Sequence, residues 1–172
     1  MKIFTLLLSV FITTLFTRAQ VQPHAIGVRG GLGWGGYGYG GEISYQHGFS
    51  DKNRLELDLG WRSWRTNNGL GNDNYRYSHL AITGIYHWVW NLTEGLNWYI
   101  GPGAQVGFYD NNWDNESGLG IGIGGQVGLE YDFNIHGAPI QLSLDARPMW
   151  GFMTYFDNRF NPGSAFSIRY TF

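Results

Sequence analysis

The stretch LGIGIGGQVGLEYDF, residues 119–133, alternates between large apolar residues and small or polar ones. The apolar set is Leu119, Ile121, Ile123, Val127, Leu129, Tyr131 and Phe133, and the residues between them are mostly glycine until Glu130 and Asp132. A period of two predicts a β-strand with two different faces. Glycine weakens a strand because it has no side chain to pack and loses the most backbone entropy. The small size of the residues on one face of this strand therefore needs an explanation.

The same alternation recurs in seven further segments of about 9–13 residues. They start at His24, Gly41, Arg54, Ser78, Asn97, Ile140 and Ala165. No segment shows a helical period, so we predict one all-β domain of eight antiparallel strands. The connections at 50–53, 91–96 and 134–139 are short, whereas those at 65–74, 110–118 and 151–163 are longer and rich in Asn, Asp and Gly. Short turns at one end and long loops at the other are typical of a transmembrane barrel.

The N-terminus has the features of an export signal. MKIFTLLLSVFITTLFTRAQ has a basic start, an apolar run too short to span a membrane, and small residues before a cleavage point after Ala19. We therefore expect a signal peptide at 1–19, a barrel domain at 20–172 and location in the outer membrane of a Gram-negative cell. A retained N-terminal anchor is the alternative.

Composition narrows the class of protein. Charged residues make up 14% of the chain and aromatic residues 17%, against roughly 25% charged in soluble domains. Cysteine is absent, which excludes disulfides, cysteine metal sites and a cysteine lipid anchor. Without Lys2 and Arg18 the mature chain has 11 − 2 = 9 basic and 13 acidic residues, a formal charge of −4. This charge, with no basic patch, argues against nucleic-acid binding.

Alternation alone does not say which face is inside, because a soluble lipocalin-like barrel also alternates. The polar face carries charges of both signs that could pair in the interior of a small barrel: Arg29, Glu42, Glu56, Asp58, Arg62, Glu130, Asp132, Asp145, Arg147 and Arg169. An eight-stranded barrel has room only for side chains. We therefore predict a charge network in the lumen, with the glycines leaving space for arginines.

Aromatic residues fall at the two ends of the predicted strands. Trp34, Trp61 and Trp150 lie at one end, and Tyr45, Phe49, Trp88, Trp98, Tyr131, Phe133, Tyr170 and Phe172 at the other. Two separate belts are expected where amphipathic rings meet membrane boundaries. The apolar face is therefore predicted to face lipid.

The chain ends SIRYTF, with Ile168, Tyr170 and Phe172 on one face. This ending resembles the C-terminal signal that the outer-membrane assembly machinery recognises. With the export signal and eight alternating segments, residues 24–172 resemble the small outer-membrane β-barrel superfamily of the OmpA transmembrane-domain, OmpX and OmpW kind. The resemblance implies a closed antiparallel eight-stranded up-and-down transmembrane β-barrel, surrounded by lipid and lipopolysaccharide and assembled through Phe172.

Three motifs that look like nucleotide, catalytic or metal sites lack the structural context or spacing that such sites need. The G-x-G-x-x-G matches at 31–36 and 120–125 lack the strand–helix context of a dinucleotide site. Ser78 and His79 are adjacent in a strand and point to opposite faces, so they make a poor dyad. The acidic loop 110–116 lacks the spacing of an EF-hand. We predict no catalytic residue, no cofactor and no metal site.

The sequence thus predicts a non-enzymatic structural or surface-interaction barrel, with a partner for its loops left open and Trp113 a candidate contact. The alternatives are a small channel, with the glycine face of strands 5 and 6 as its least filled part, and, third, a lipid A-modifying barrel enzyme.

Overall fold

The computed structural model describes residues 21–31, 40–67, 74–111, 116–153 and 159–172. The predicted signal peptide, Trp34 and Trp113 lie outside these ranges. The described part contains eight strands: β1 His24–Gly31, β2 Gly40–Ser50, β3 Asn53–Asn67, β4 Asn74–Thr93, β5 Leu96–Asn111, β6 Glu116–Asp132, β7 Ile140–Met153 and β8 Arg159–Thr171. A 3₁₀ helix at Phe133–His136 joins β6 to β7.

The strands form one closed barrel in chain order. Each strand pairs antiparallel with the next, and β1 closes the sheet on β8 through pairs such as Val28 with Ile168. The predicted eight-stranded up-and-down antiparallel barrel is confirmed. Closure leaves no strand edge without a partner strand, so the sheet has no exposed row of backbone donors and acceptors.

The strands extend further than the alternating pattern. The β3–β4 pairing continues to Asn67 opposite Asn74, so residues 65–67 and 74 of the predicted loop 65–74 are strand. Likewise β5 continues to Asn111, and β7 to Met153. The predicted strand ends were wrong because backbone pairing does not require apolar side chains, whereas the sequence pattern can follow only those. Phe133, predicted in a strand, instead begins the 3₁₀ helix.

The distribution of side chains is inverted relative to a water-soluble domain. On the outer surface, Val28 and Ile82 keep 58% and 57% of their accessible area. In the interior, Glu56 is 0% and Arg169 1% exposed. Both faces follow the predicted alternation. Among the described residues, no helix is long and apolar enough to cross a membrane.

Two prolines interrupt the hydrogen-bond ladder. The β4–β5 pairing skips the positions where Gly101–Pro102 lie opposite 86–87, and the β6–β7 pairing skips Arg147–Pro148 opposite 125–126. Proline has no N–H to donate, so a ladder bond is lost at each place. The sheet stays in register on both sides of each interruption.

Candidate functional site

Glu56 points into the barrel interior and is fully buried. Its Oε1 accepts a hydrogen bond from Arg147 Nη2 at 2.9 Å, and its Oε2 accepts one from Arg169 Nη2 at 2.9 Å. Gln46 and Gln126 donate to the same carboxylate at 2.6 and 3.2 Å. Four donors satisfy the buried carboxylate, and two guanidinium groups share its negative charge.

A second set of ion pairs extends this network toward the end of the barrel where the longer loops were predicted. Arg29 donates to Glu42 at 2.8 Å and to Asp145 at 2.5 Å. Arg147 joins the two sets because it donates to Glu42 at 3.1 Å and also pairs with Asp58. Side chains from β7, β8, β1, β2 and β3 are thereby linked through the lumen.

Arg54 belongs to a separate polar group near the short-turn end and was missed by the sequence analysis. Its Nη2 lies 2.5 Å from Glu130 Oε2, and its Nε lies 3.3 Å from His87 Nδ1. The guanidinium also covers the Tyr99 ring at 4.8 Å from the centroid, and Asn97 donates to Glu130 at 3.3 Å. The strand pattern could have identified it, because Arg54 lies two and four residues before Glu56 and Asp58 and so shares their inward face.

Arg62 and Asp132 were also predicted to belong to the lumen network. The backbone of Arg62 lies in β3 opposite His79, but its side chain is outside the described residues. Asp132 is buried at the end of β6, where its carboxylate accepts hydrogen bonds from Gln22 Nε2 at 2.8 Å and from the backbone N–H of Asn134 at 2.9 Å. Asp132 therefore caps the turn and ties down the N-terminal segment.

The inward-facing glycines of β6 make room for side chains from β5 and β7. A Cβ on Gly128 would lie 2.5 Å from the Tyr99 ring, and one on Gly124 would lie 2.7 Å from Met149 Sδ. Both glycines are paired in register with the residue that covers them. The prediction that this face accommodates arginines is wrong at these positions, because an aromatic and a thioether side chain occupy the space.

The short-turn end of the lumen is closed by the segment before β1. Val21 packs against the buried side chains of Val89 and Tyr99. Gln22 reaches across to Asp132, and the Gly48 N–H donates to the Pro23 carbonyl at 2.9 Å. These contacts join residues 21–23 to β2, β4, β5 and the β6 turn, so the interior is filled at this end.

Aromatic rings form a chain of contacts around the outside of the same end. Successive ring centroids are 5.0–6.3 Å apart along the series Tyr170, Phe172, His24, His47, Phe49, Tyr86 and Trp88. Trp90 stacks on Trp98 at 4.5 Å, and Tyr131 meets Phe133 at 4.8 Å. The rings predicted for this belt share one rim, and two histidines lie among them.

At the opposite end, Trp61 and Trp150 are exposed on the outer surface, and Trp150 packs on Phe160 with centroids 4.8 Å apart. Trp34, the third residue predicted for this belt, lies outside the described ranges. The three residues predicted to form an assembly signal, Ile168, Tyr170 and Phe172, all project outward from β8 or the residue after it.

Within the described residues, no three His, Cys, Asp or Glu side chains are grouped so that they could hold a metal ion. Ser78 lines a shallow outer groove with Trp61 and Leu80, whereas the His79 ring lies where a Cβ of the inward-facing Gly107 would be. The two side chains are thus on opposite sides of the wall.

No family model matches this sequence, and no curated protein matches it significantly. Solved structures with a similar fold include Neisserial surface protein A (NspA), at 15% identity and a TM-score of 0.46, covering 87% of this chain and 94% of that one. Ail, the attachment invasion locus protein of Yersinia pestis, is 16% identical with a TM-score of 0.46, covering 87% and 96%. At this identity the likeness concerns the fold alone.

Proposed function

We propose that this chain is an integral outer-membrane barrel with a filled lumen and a structural or surface-interaction role that is not enzymatic. The observation that carries the proposal is the inversion of its two faces: large apolar side chains cover the outside, while paired charges occupy the inside. In water such an exterior would be an aggregation hazard, because exposed apolar patches on soluble monomers are far smaller. In lipid it needs no protein partner.

The height of the apolar surface supports the same proposal. From Leu119 to Leu129, β6 presents exposed apolar residues over ten residue steps. At about 3.3 Å per residue and a strand tilt of about 40°, ten steps rise roughly 25 Å along the barrel axis. That height equals the apolar band expected of an outer-membrane barrel, about 25 Å.

In this proposal the rims meet the membrane interfaces, with lipid and lipopolysaccharide against the outer wall. The outward-facing Ile168, Tyr170 and Phe172 are the residues that the barrel assembly machinery would recognise. The connections around 65–74, 110–118 and 151–163 face the cell exterior and carry any specific partner contact, with Trp113 as the first residue to test. Loops are where binding specificity is usually located on such scaffolds.

The described interior favours a filled barrel over a channel. Ion pairs join Glu56 to strands on opposite sides of the lumen, and Val21 and Gln22 occupy the short-turn end. The first alternative is a small channel, which a conductance measurement distinguishes from a filled barrel. The second alternative is a lipid A-modifying enzyme. Planar bilayers containing the purified barrel are expected to show no conductance above the lipid background.

The first experiment is to export the full chain in a Gram-negative cell, isolate the outer membrane, and compare unheated and boiled samples on SDS gels. A closed barrel stays compact in cold SDS and migrates differently after boiling, so we expect a shift. Recovery in the soluble periplasmic fraction without a shift would overturn the proposal. A shift together with steady single-channel conductance would replace the filled-barrel role with the channel.

A further inference from the structure

His24 and His47 face each other across β1 and β2 in the ring of aromatic residues at the short-turn end. They are paired directly in register, and the two imidazoles are tilted by 31° with centroids 5.0 Å apart. Their Nδ1 atoms are 3.3 Å apart. An aromatic belt requires rings at this rim, but it does not require two imidazole nitrogens to point at each other.

The distance between the two nitrogens is that of a hydrogen bond, and it also suits two ligands of one metal ion. Zinc binds imidazole nitrogen at about 2.0–2.1 Å with tetrahedral geometry, which places two nitrogen ligands about 3.3–3.4 Å from each other. The spacing of the His24 and His47 Nδ1 atoms therefore equals one edge of a zinc coordination tetrahedron. Rotation of the two rings would turn the Nδ1 lone pairs away from each other. Both lone pairs would then point at one position beside the pair, where a metal ion could bind.

A third polar group lies beside the pair. The Tyr45 hydroxyl is 2.9 Å from His24 Nδ1, and Tyr45 is two residues before His47 on the same outward face of β2. This bond uses the nitrogen that would bind an ion, so on metal binding the hydroxyl would release it and could instead form a hydrogen bond with a water ligand of the ion. All three side chains are only partly buried, so an ion and its water ligands have access from solvent.

We propose that His24 and His47 form a binding site for Zn²⁺ or a similar divalent transition-metal ion, with water in the remaining positions. Imidazole suits zinc, copper and nickel, whereas Mg²⁺ and Ca²⁺ prefer oxygen ligands. A bound ion would link β1 to β2 beside the β1–β8 closure of the barrel. The site goes beyond the proposed outer-membrane role and does not depend on it.

His136 provides a matched control within the same chain. It also contacts a tyrosine, with Nε2 3.0 Å from the Tyr131 hydroxyl, and it too lies near the short-turn end. Within the described residues, no second histidine is within hydrogen-bond distance of His136. A metal effect that came from any rim histidine would depend on His136 as much as on His24 and His47.

The test uses the folded full-length mature barrel in detergent, without a polyhistidine tag, and the variants H24Q, H47Q and H136Q. Zn²⁺ is titrated by calorimetry, with Mg²⁺ as a parallel titration. We expect saturable binding of one Zn²⁺ with half-saturation below about 0.1 mM, weakened roughly tenfold or more in H24Q and H47Q and unchanged in H136Q. Mg²⁺ should show no saturable binding at the same concentration.

Spectroscopy on the unmodified chain keeps the test independent of how the variants fold. Cu²⁺ added at equal concentration should give an electron paramagnetic resonance spectrum with two coordinated imidazole nitrogens, and excess Zn²⁺ should displace it. A spectrum with no nitrogen ligand overturns the proposal. Zn²⁺ binding that survives in an H24Q/H47Q double variant with the compact gel mobility of the folded barrel overturns it as well.

Discussion

The lumen has two unlike walls. The arginine wall, formed by the inner faces of β7, β8, β1, β2 and β3, carries Arg29, Arg147 and Arg169 with their carboxylate partners. The glycine wall, formed by β4, β5 and β6, carries small residues under a few large ones, such as Gly128 under Tyr99 and Gly103 under Ile85. Ion pairs stabilise the first wall, and close packing of large side chains over glycines stabilises the second.

The difference shows how one small barrel fills its interior in two ways. Long arginines reach across the lumen and need buried carboxylates, since an unpaired buried charge is costly. On the glycine wall a large side chain folds over the strand beside it, which is possible only when the position opposite lacks a Cβ. We therefore expect the arginine wall to be sensitive to loss of charge and the glycine wall to added volume.

Replacement of Glu56 is expected to have the largest effect. In E56Q, Arg147 and Arg169 lose the carboxylate that they share, and Arg169 loses its only ion pair among the described residues. Breaking a buried pair from one side typically costs about 3–5 kcal/mol. Urea unfolding of the barrel in lipid vesicles should show a loss of that size.

The matched control is E94Q, which removes an exposed carboxylate from the β4–β5 turn. Its effect on the free energy of unfolding should stay within about 0.5 kcal/mol. Equal losses in the two variants would mean that the arginine wall is not held by its charges.

Added volume on the glycine wall should have the next largest effect. A Cβ at Gly124 would lie 2.1 Å from the Pro148 carbonyl oxygen and 2.7 Å from Met149 Sδ, so backbone as well as side chain must move. We expect G124A to cost about 1–3 kcal/mol, the usual range for overpacking. In G84A the nearest atom is Leu57 Cδ2 at 3.5 Å, an ordinary contact, so this control should be near neutral. Similar losses in both would show that the close contacts at Gly124 do not set the cost, because the loss of a glycine lowers the entropy of the unfolded chain and does not itself destabilise the fold.

The sequence predicted the barrel and the composition of both its faces because the period of two is strict and each strand has one buried side. Arg54 could have been predicted, since it continues the parity of Glu56 and Asp58. Which carboxylate each arginine meets could not, because strand stagger and tilt bring residues such as Glu56 and Arg169 together from strands that are not neighbours. The polar ends of β3 and β4 also escaped prediction, because backbone pairing there leaves no apolar pattern.

The pairing of His24 with His47 could not be predicted from the alternating strand pattern alone either. Both residues could be assigned to the outer face by parity, but their direct opposition depends on the register of β1 against β2. Strand register depends on turn geometry as well as on the apolar pattern, and composition does not specify it.

The ion pair that joins the two walls allows the smallest and most discriminating test. Arg54 on β3 meets Glu130 on β6 in a buried contact. Replacing both, as R54M/E130Q, removes the two charges together and keeps an acceptor for Asn97, so stability should stay within about 1 kcal/mol of the original barrel. R54M alone leaves the Glu130 carboxylate without its arginine and should cost about 3 kcal/mol. Unfolding of the single and double variants in vesicles gives the comparison. If the double variant is as unstable as the single one, then Arg54 contributes by packing on Tyr99 rather than by its charge, and the boundary between the walls is held by fit.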